Sequence, residues 1–499
     1  MSQNWSETSD SGDDIGRKAF SAGFWNALSS GATRVFSLIQ TVVVARLLYP
    51  SDLGLMGMAS LALWTLHVFT QPGIEAAIIY RRELDDRVAG TAWTISVCRG
   101  AALFGLLWVS APWIAGFFRE ARLTALVRGM AAVLLIDGLA NIWVVHFQKE
   151  LDFKRQAIFD QLSQAASVVI TLVAVVAMRD VWALVIGRLG GAVVRTVSSY
   201  GFSLPRPAWR WNREVARELM GYGRHIMGIN ILLFFLTQGD NAFVGRVLGT
   251  EALGFYGLAY GLSNLPGTFV SSALSRITFP LYAKLREDRP QMALAYRNIL
   301  EITGLLTVPL CGALIVLAPE VVSFIYGARW LPAMPCMRIL CVFGLIRALN
   351  TSMGALLQAL GLPSRLERIG AWQLILMAAI ITPLGRAFGI AGVGLCVTLA
   401  GGFSMALILR DIRRDAGFPA RAWLAAQRTP FLGTCAAVVV VLLAGLALPN
   451  APAGVRLAAL GLLGAAVYAG CVYRAPSTRS HIRAAAGYIR EGIRPFGGR

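Results

Sequence analysis

The chain has 499 residues, of which 56% are apolar and 15% charged, and its mean hydropathy is +0.61. A soluble protein of this length needs far less apolar side chain for its core, so the composition indicates an integral membrane protein and excludes a soluble globular one. The net charge of +19 does not indicate a nucleic-acid-binding protein, because the basic residues lie in short segments between apolar runs and therefore suit a membrane surface.

The predicted elements begin with a polar tail and continue as a series of long apolar helices. Residues 1–16 are rich in serine and aspartate and have little to bury, so we predict a disordered tail. Beyond it, roughly fourteen stretches approach or exceed the length of about 20 residues that a helix needs to cross the hydrocarbon core. In chain order, the predicted spans are 20–46, 54–79, 91–117, 123–147, 157–178, 181–204, 225–248, 253–280, 296–318, 332–358, 369–384, 388–410, 429–448 and 454–473. The predicted fold is therefore an all-α integral membrane protein with about 14 transmembrane helices.

One motif occurs twice, at a spacing of 200 residues. Its recurring pairs are Arg46 and Arg246, Leu48 and Leu248, Leu53 and Leu253, Gly54 and Gly254, Gly57 and Gly257, and Ala59 and Ala259. Chance would give about one or two identities over this length in so apolar a chain. The repeat predicts two similar halves. Because an even number of predicted spans separates the copies, both halves are expected to cross the membrane in the same orientation.

The distribution of lysine and arginine predicts the orientation of the spans. With both termini inside, the cytoplasmic segments hold about 30 of these residues and the opposite loops about 8, which favours N-in and C-in. Residues 205–224 alternate apolar and arginine positions at helical spacing, so they predict an amphipathic helix on the cytoplasmic face. The predicted segments are a disordered cytoplasmic tail (1–16), an N-lobe of six spans (17–204), the amphipathic linker (205–224), a C-lobe of six spans parallel to the first (225–410), a basic cytoplasmic loop (411–428), two C-terminal spans (429–473) and a basic cytoplasmic tail (474–499).

Several arginines lie well inside the predicted spans. Those near a helix end can extend their guanidinium groups to the headgroups, and they are Arg99, Arg128, Arg188, Arg276 and Arg338. Arg34, Arg195 and Arg347 lie near the middle of their helices, where each costs roughly 2.5 to 3.5 kcal/mol on a lone helix. Asp137 and Asp240 are similarly deep.

Two interpretations of this deep set remain open. In one, arginines and aspartates pair across helices and fix the packing. In the other, Arg34, Arg195 and Arg347 form a wet cationic site for an anionic head group, because a guanidinium donates paired hydrogen bonds to phosphate and stays charged. Asp240, and less strongly Asp137, are then candidates for binding a coupling ion or proton.

Four segments of the chain are distinctive: MGYGRHIMGINILLFFLTQGDNAFVGRVLGTEALGFYGLAYGLSNLPG at 220–267, SRITFPLYAKLREDRPQMALAYR at 275–297, the first copy of the repeat at 46–59, and FQKELDFKR at 147–155. They resemble bacterial polysaccharide flippases of the multidrug/oligosaccharidyl-lipid/polysaccharide exporter superfamily. With the span layout, the resemblance covers roughly residues 17–410. Arg34 also matches an arginine in the first span of the related lipid II flippases, whereas Gln40 stands where these carry their next cationic residue.

The resemblance implies a multi-pass protein of the bacterial inner membrane that flips undecaprenyl-diphosphate-linked oligosaccharides by alternating access, for O-antigen or exopolysaccharide synthesis. Its implied partners are that lipid-linked substrate, membrane lipids, and a polysaccharide polymerase and glycosyltransferases, with no nucleic acid. No cofactor or metal is predicted, since the four histidines are scattered, and coupling to Na⁺ or H⁺ is left open. A multidrug extruder of the same superfamily is one alternative. A membrane-embedded polymerase or ligase is another, but the sequence shows no catalytic constellation and the outward loops are short.

Overall fold

The computed structural model describes residues 12–70, 78, 85–150, 152–202, 205–418, 420–448 and 451–474. Every regular element within these residues is helical. Nine of the described helices are long and apolar enough to cross a membrane, or up to 10 if a bent pair is counted as one span. The predicted all-α membrane fold is therefore confirmed, while the number of fourteen spans stays a prediction. The basic tail predicted over 474–499 lies outside the described residues except for Arg474.

The chain divides into two compact units, and the N-terminal unit comprises Met1–Gly254. Its helices are α1 (Gly12–Leu47), α2 (Pro50–Thr70), α3 (Asp86–Phe118), α4 (Leu123–Gly138), α5 (Val145–Lys149), α6 (Phe153–Met178), α7 (Trp182–Phe202), α8 (Arg213–Phe243) and the first turn of α9 (Thr250–Lys284). Helix α1 begins at Gly12, so residues 12–16 of the predicted tail are helical, and residues 1–11 lie outside the described part. A π-helical turn over Val244–Leu248 follows α8.

The linker predicted over 205–224 is not a separate helix. Residues 205–212 have no regular secondary structure, and Trp211 therefore precedes the helix. Asn212 caps α8, because its side-chain oxygen accepts hydrogen bonds from the N–H groups of Glu214 and Val215. No proline interrupts the following residues, so the helix continues into the seventh predicted span, and Leu219 is buried in the core of the N-terminal unit. The amphipathic pattern thus marks an extension of a spanning helix.

The two copies of the repeat meet at reciprocal glycine contacts within the N-terminal unit. A Cβ atom on Gly54 would overlap the carbonyl oxygen of Thr250, and one on Gly254 would overlap the carbonyl oxygen of Pro50. Positions 50 and 250 are themselves equivalent in the repeat, so the beginnings of α2 and α9 approach each other in the same way from both sides. Small residues permit such close backbone approach between membrane helices.

The C-terminal unit comprises Phe255–Arg499. After α9 its helices are α10 (Arg289–Val316), α11 (Ala318–Val321), α12 (Met334–Ala359), α13 (Pro363–Ala416), α14 (Ala420–Leu446) and α15 (Ala453–Arg474). Helix α13 breaks at Gly389, whose φ of 59° is in the left-handed region. The break produces two antiparallel arms, and a Cβ atom on Gly392 would overlap the carbonyl oxygen of Leu384. The two arms correspond to the eleventh and twelfth predicted spans.

Candidate functional site

Two adjoining cavities in the N-terminal unit share Asp137 and Arg195 in their linings. Their volumes are about 220 Å³ and about 120 Å³. The charged residues that line them come from α3, α4, α6 and α7, and they are Arg99, Asp137, Asp160, Arg188 and Arg195. His67, near the end of α2, lines the larger cavity. We call this pair of cavities the polar cavity.

A glycine pair brings Arg99 and Asp137 to the polar cavity. A Cβ atom on Gly100 of α3 would lie 2.7 Å from the carbonyl oxygen of Leu134 and 3.1 Å from the Cα of Gly138. A side chain at either Gly100 or Gly138 would collide with the backbone of the other helix, so α3 and α4 cross in direct backbone contact. Arg99 and Asp137 are the residues immediately before the two glycines, so the close crossing sets both charged groups at one site.

Helix α7 carries the other two arginines on a single face. Arg188 and Arg195 are seven residues apart, which is two helical turns. The neighbouring Gly187 and Gly191 pack directly against α6, where Cβ atoms would collide with Thr171 and Ser167 respectively. This contact fixes the rotation of α7 and leaves both guanidinium-bearing positions exposed to the polar cavity.

A sharp bend after α4 forms one wall of the polar cavity. The axes of Leu123–Gly138 and Ile142–Lys149 differ by 69°. Asn141 holds the bend: its backbone N–H donates to the Ser199 hydroxyl at 2.8 Å, and its side-chain oxygen accepts from the N–H of Trp143 at 3.0 Å. The Tyr200 hydroxyl donates to the carbonyl of Leu139 at 2.7 Å. Irregular backbone at membrane depth is tolerated where it lines a cavity, and such discontinuous helices are typical of transporter binding sites.

The charges in the polar cavity are only partly compensated. The carboxylate of Asp137 interacts electrostatically with Arg195 and Arg188, but within the described residues no hydrogen bond or ion pair joins their side chains. Arg99 donates instead to the carbonyl of His67 at 3.2 Å. Among the described lining residues, three arginines against two aspartates give an excess positive charge. The guanidinium groups of Arg188 and Arg195 retain hydrogen-bond donors that no described residue accepts, beside a space that water can enter.

The structure brings only some of the predicted site residues together. Arg195 and Asp137 both line the polar cavity, whereas Arg34 on α1 is half-buried and is not among the lining residues. Arg347 belongs to the C-terminal unit, where it donates to the Thr268 hydroxyl at 2.8 Å. Asp240 is 1% exposed, and its side chain accepts from the N–H of Asn241 at 2.8 Å.

The arginines predicted to extend toward the headgroups fall into two groups. Arg128 stacks over the Trp108 ring at 5.3 Å, and Arg338 donates to the carbonyl of Ile315 at 3.0 Å, so both have local partners. Arg99 and Arg188 instead line the polar cavity, a position that their sequence context did not predict. The seven-residue spacing of Arg188 and Arg195 was the available signal. The side chain of Arg276 lies outside the described residues.

Comparison with known proteins identifies the family. A family model described as "Polysaccharide biosynthesis protein" matches residues 43–335, more than half of the chain. The chain belongs to the polysaccharide biosynthesis protein family. The teichuronic acid biosynthesis protein TuaB of Bacillus subtilis (strain 168) is 24% identical over 349 residues, which are 70% of this chain and 72% of that relative. The lipopolysaccharide biosynthesis protein WzxC of Escherichia coli (strain K12) is 22% identical over 397 residues, 79% of this chain and 80% of WzxC.

A solved structure establishes that this polysaccharide biosynthesis protein has a transporter fold. The lipid II flippase MurJ, in an inward closed conformation, is similar with a TM-score of 0.71 and 15% sequence identity. The similarity covers 90% of this chain and 97% of MurJ. The family model and the relatives TuaB and WzxC confirm the resemblance to a polysaccharide biosynthesis family, and the likeness to MurJ confirms the fold.

Proposed function

We propose that this protein flips undecaprenyl-diphosphate-linked oligosaccharides across the bacterial inner membrane by alternating access, for the synthesis of a cell-surface or secreted polysaccharide. Family membership supports the polysaccharide pathway, and the MurJ-like fold supports transport. Both termini of this multi-pass protein lie in the cytoplasm in this proposal. A polysaccharide polymerase and glycosyltransferases act on the same lipid-linked units and are its functional partners.

One observation carries the proposal: the side chains of Arg188 and Arg195 face the polar cavity with no hydrogen bond or ion pair to another described residue. A charged group inside a membrane protein is costly unless it has a partner, and such residues characteristically mark a substrate path. A diphosphate supplies the missing acceptors, because its oxygens match the paired donors of a guanidinium. A substrate anion would thus stabilise a site whose own carboxylates do not neutralise it.

The observations that support a role in diphosphate binding differ from one predicted residue to the next. Arg195 is the strongest, since it lines both parts of the polar cavity and lies opposite Asp137. Arg34 and Arg347 remain proposed substrate residues because both lie deep in their predicted spans and Arg34 matches an arginine of the lipid II flippases. Arg188 joins the proposed site because it shares a helix face with Arg195. Asp240 and Asp137 are the proposed groups for coupling to Na⁺ or H⁺.

The excess positive charge of the polar cavity also separates this function from multidrug extrusion. A cavity that receives cationic drugs needs carboxylates and aromatic faces to attract them. Here arginines outnumber aspartates among the lining residues that the structure describes. A cationic drug would therefore be repelled, whereas an anionic head group would be attracted.

Substitution of Arg195 tests the proposal. In a cell that lacks its own flippase, we expect Arg195→Ala to reduce polymer production strongly at matched membrane abundance. A lost charge-assisted contact weakens binding by about one to two powers of ten. Arg195→Lys should restore part of the activity, since it keeps the charge but loses the paired donors. Arg128→Ala is the matched control, because Arg128 is another intramembrane arginine of the same unit but lines neither cavity.

Two outcomes would count against the proposal. Full polymer production by the doubly substituted Arg188→Ala, Arg195→Ala protein would show that the polar cavity does not bind the substrate. Equal loss of activity in Arg195→Ala and Arg128→Ala would indicate a general effect on the membrane-embedded fold rather than a binding site.

A further inference from the structure

A second cluster of arginines lies in the C-terminal unit, remote in sequence from the polar cavity. Where the two arms of α13 lie side by side, a cavity of about 360 Å³ opens between them. The first arm contributes Arg365, Arg368 and Trp372, and the second contributes Arg410, Asp411 and Arg414. The first three are three, four and seven residues apart, and Arg410 and Arg414 are four apart, so these residues lie on one face of each arm.

Only one of these arginines is neutralised. Arg365 forms ion pairs with Asp415 and, at 3.8 Å, with Asp411. These pairs join the two arms and hold the cavity in shape. Among the residues that the structure describes, Arg368, Arg410 and Arg414 make neither a hydrogen bond through their side chains nor an ion pair. The cavity therefore presents three uncompensated guanidinium groups to whatever occupies it.

The surface beside the cavity is apolar and exposed. Trp372 is 57% exposed and Ile375 is 56% exposed on the first arm, and Phe403 is 38% exposed on the second. Trp372 and Ile375 follow the arginines of the first arm, and Phe403 precedes those of the second, so all three lie one to three helical turns closer to the apolar middle of the predicted spans. Tryptophan is enriched where a spanning helix passes through the membrane interface. By this pattern we expect the arginines at headgroup level and the apolar side chains at the level of the acyl chains.

We propose that this cavity binds the phosphodiester headgroup of an anionic phospholipid. The three free guanidinium groups supply donors for the phosphate oxygens, and the exposed Trp372 and Ile375 surface receives the acyl chains. Basic pockets between membrane helices bind anionic headgroups in this way. The apolar surface favours a lipid over a soluble phosphate compound, which would leave it uncovered. The site is independent of the substrate proposed above.

Native mass spectrometry of the purified full-length protein tests the assignment. The protein in detergent is titrated with phosphatidylglycerol, with phosphatidylcholine as the zwitterionic comparison, and with soluble glycerol 3-phosphate as the headgroup without chains. We expect the wild-type protein to retain phosphatidylglycerol, and the Arg410→Gln, Arg414→Gln double variant to bind it at least about tenfold more weakly. Arg413→Gln is the matched control, because Arg413 is adjacent and exposed but does not line the cavity.

Each alternative result is decisive. Equal weakening by Arg413→Gln, or equal retention of phosphatidylcholine, would overturn the site. Displacement of the lipid by equimolar glycerol 3-phosphate would overturn the assignment to a lipid. If the double variant does not fold, Arg368→Gln on the other arm is the second test. It should weaken phosphatidylglycerol binding without changing the melting temperature in lipid-free detergent, and unchanged binding in this folded variant would overturn the proposal.

Discussion

Asp137 and Asp240, the carboxylates predicted to couple transport to an ion, both lie in the N-terminal unit, and their surroundings differ. Asp137 is exposed in the polar cavity, opposite Arg188 and Arg195. Asp240 is almost completely buried one turn before the π-helical turn that follows α8. A carboxylate that takes up and releases an ion must be accessible in at least one state of the transport cycle. Asp137 meets this condition in the described conformation, whereas Asp240 requires a different one.

Replacing each aspartate by the isosteric asparagine distinguishes a role in ion or proton coupling from a role in packing. In proteoliposomes with an imposed Na⁺ or proton gradient, we expect Asp137→Asn and Asp240→Asn each to remove the response of transport to the gradient, because an amide cannot exchange a proton and binds cations weakly. Asp240→Asn retains a side-chain oxygen that can accept from the N–H of Asn241, so its membrane abundance should stay near that of the wild type. A collapse in abundance would assign Asp240 to packing, and an intact gradient response in both variants would exclude the two carboxylates from coupling.

At the residue scale, the sequence identified which charges are deep but not which of them share a cavity. Arg195 and Asp137 were predicted as site residues and do line the same cavity. Their depth could be predicted because it depends only on the position of each residue within its own helix. Arg99 and Arg188 were assigned to the headgroup region. Their actual position depends on the crossing of α3 with α4 and on the rotation of α7, which arise from glycine contacts between helices distant in sequence.

At the scale of elements, the recurring glycines explain why the repeat is so specific. Gly54 and Gly254 each face a carbonyl group of the other copy, so neither can be enlarged without displacing backbone. At Gly257, another recurring glycine, an added Cβ atom would meet no atom of another described helix within 4 Å. The first two therefore have a packing role that the third does not share.

Alanine substitution compares these glycines directly. We expect Gly54→Ala and Gly254→Ala each to lower the free energy of unfolding by about 1–3 kcal/mol, as is typical of overpacking. Gly257→Ala should be neutral or slightly stabilising, since alanine favours the helix by up to about 1 kcal/mol over glycine. The melting temperature of each purified variant in detergent measures the difference. Equal melting temperatures for Gly54→Ala and Gly257→Ala would contradict the close contact.

The elements themselves were more predictable than their junctions. Long apolar stretches predicted the spanning helices, because hydropathy is a local property. The sequence did not predict that residues 213–224 belong to the same helix as the seventh span. The amphipathic pattern does not show where that helix begins, whereas the Asn212 cap does. The two arms of α13 were predicted as separate spans, 369–384 and 388–410, with Arg386 between them. Gly389, where the helix breaks, lies just inside the second of these spans.

At the scale of the whole molecule, the direction of transport depends on how the chain is oriented in the membrane. Lysine and arginine are retained on the cytoplasmic side during insertion, and the charge distribution of this chain is strongly asymmetric. If both termini are cytoplasmic, as predicted, the arginine cavity of α13 lies at the cytoplasmic leaflet, where anionic lipids attract basic segments. Topology therefore bears on both proposed sites.

Reporter fusions test this orientation at six positions. We expect reporters fused after Arg82, Arg213 and Arg414 to be cytoplasmic, because these positions lie in the basic segments. Reporters after Pro50, Gly249 and Pro452 should be periplasmic. Pro50 and Gly249 are the informative pair, since they begin α2 and precede α9 at nearly equivalent positions of the repeat. The even number of predicted spans between them requires the same side for both.

A cytoplasmic reporter after Gly249 together with a periplasmic one after Pro50 would show that the halves are inverted, and would exclude the parallel arrangement on which the proposed transport cycle depends.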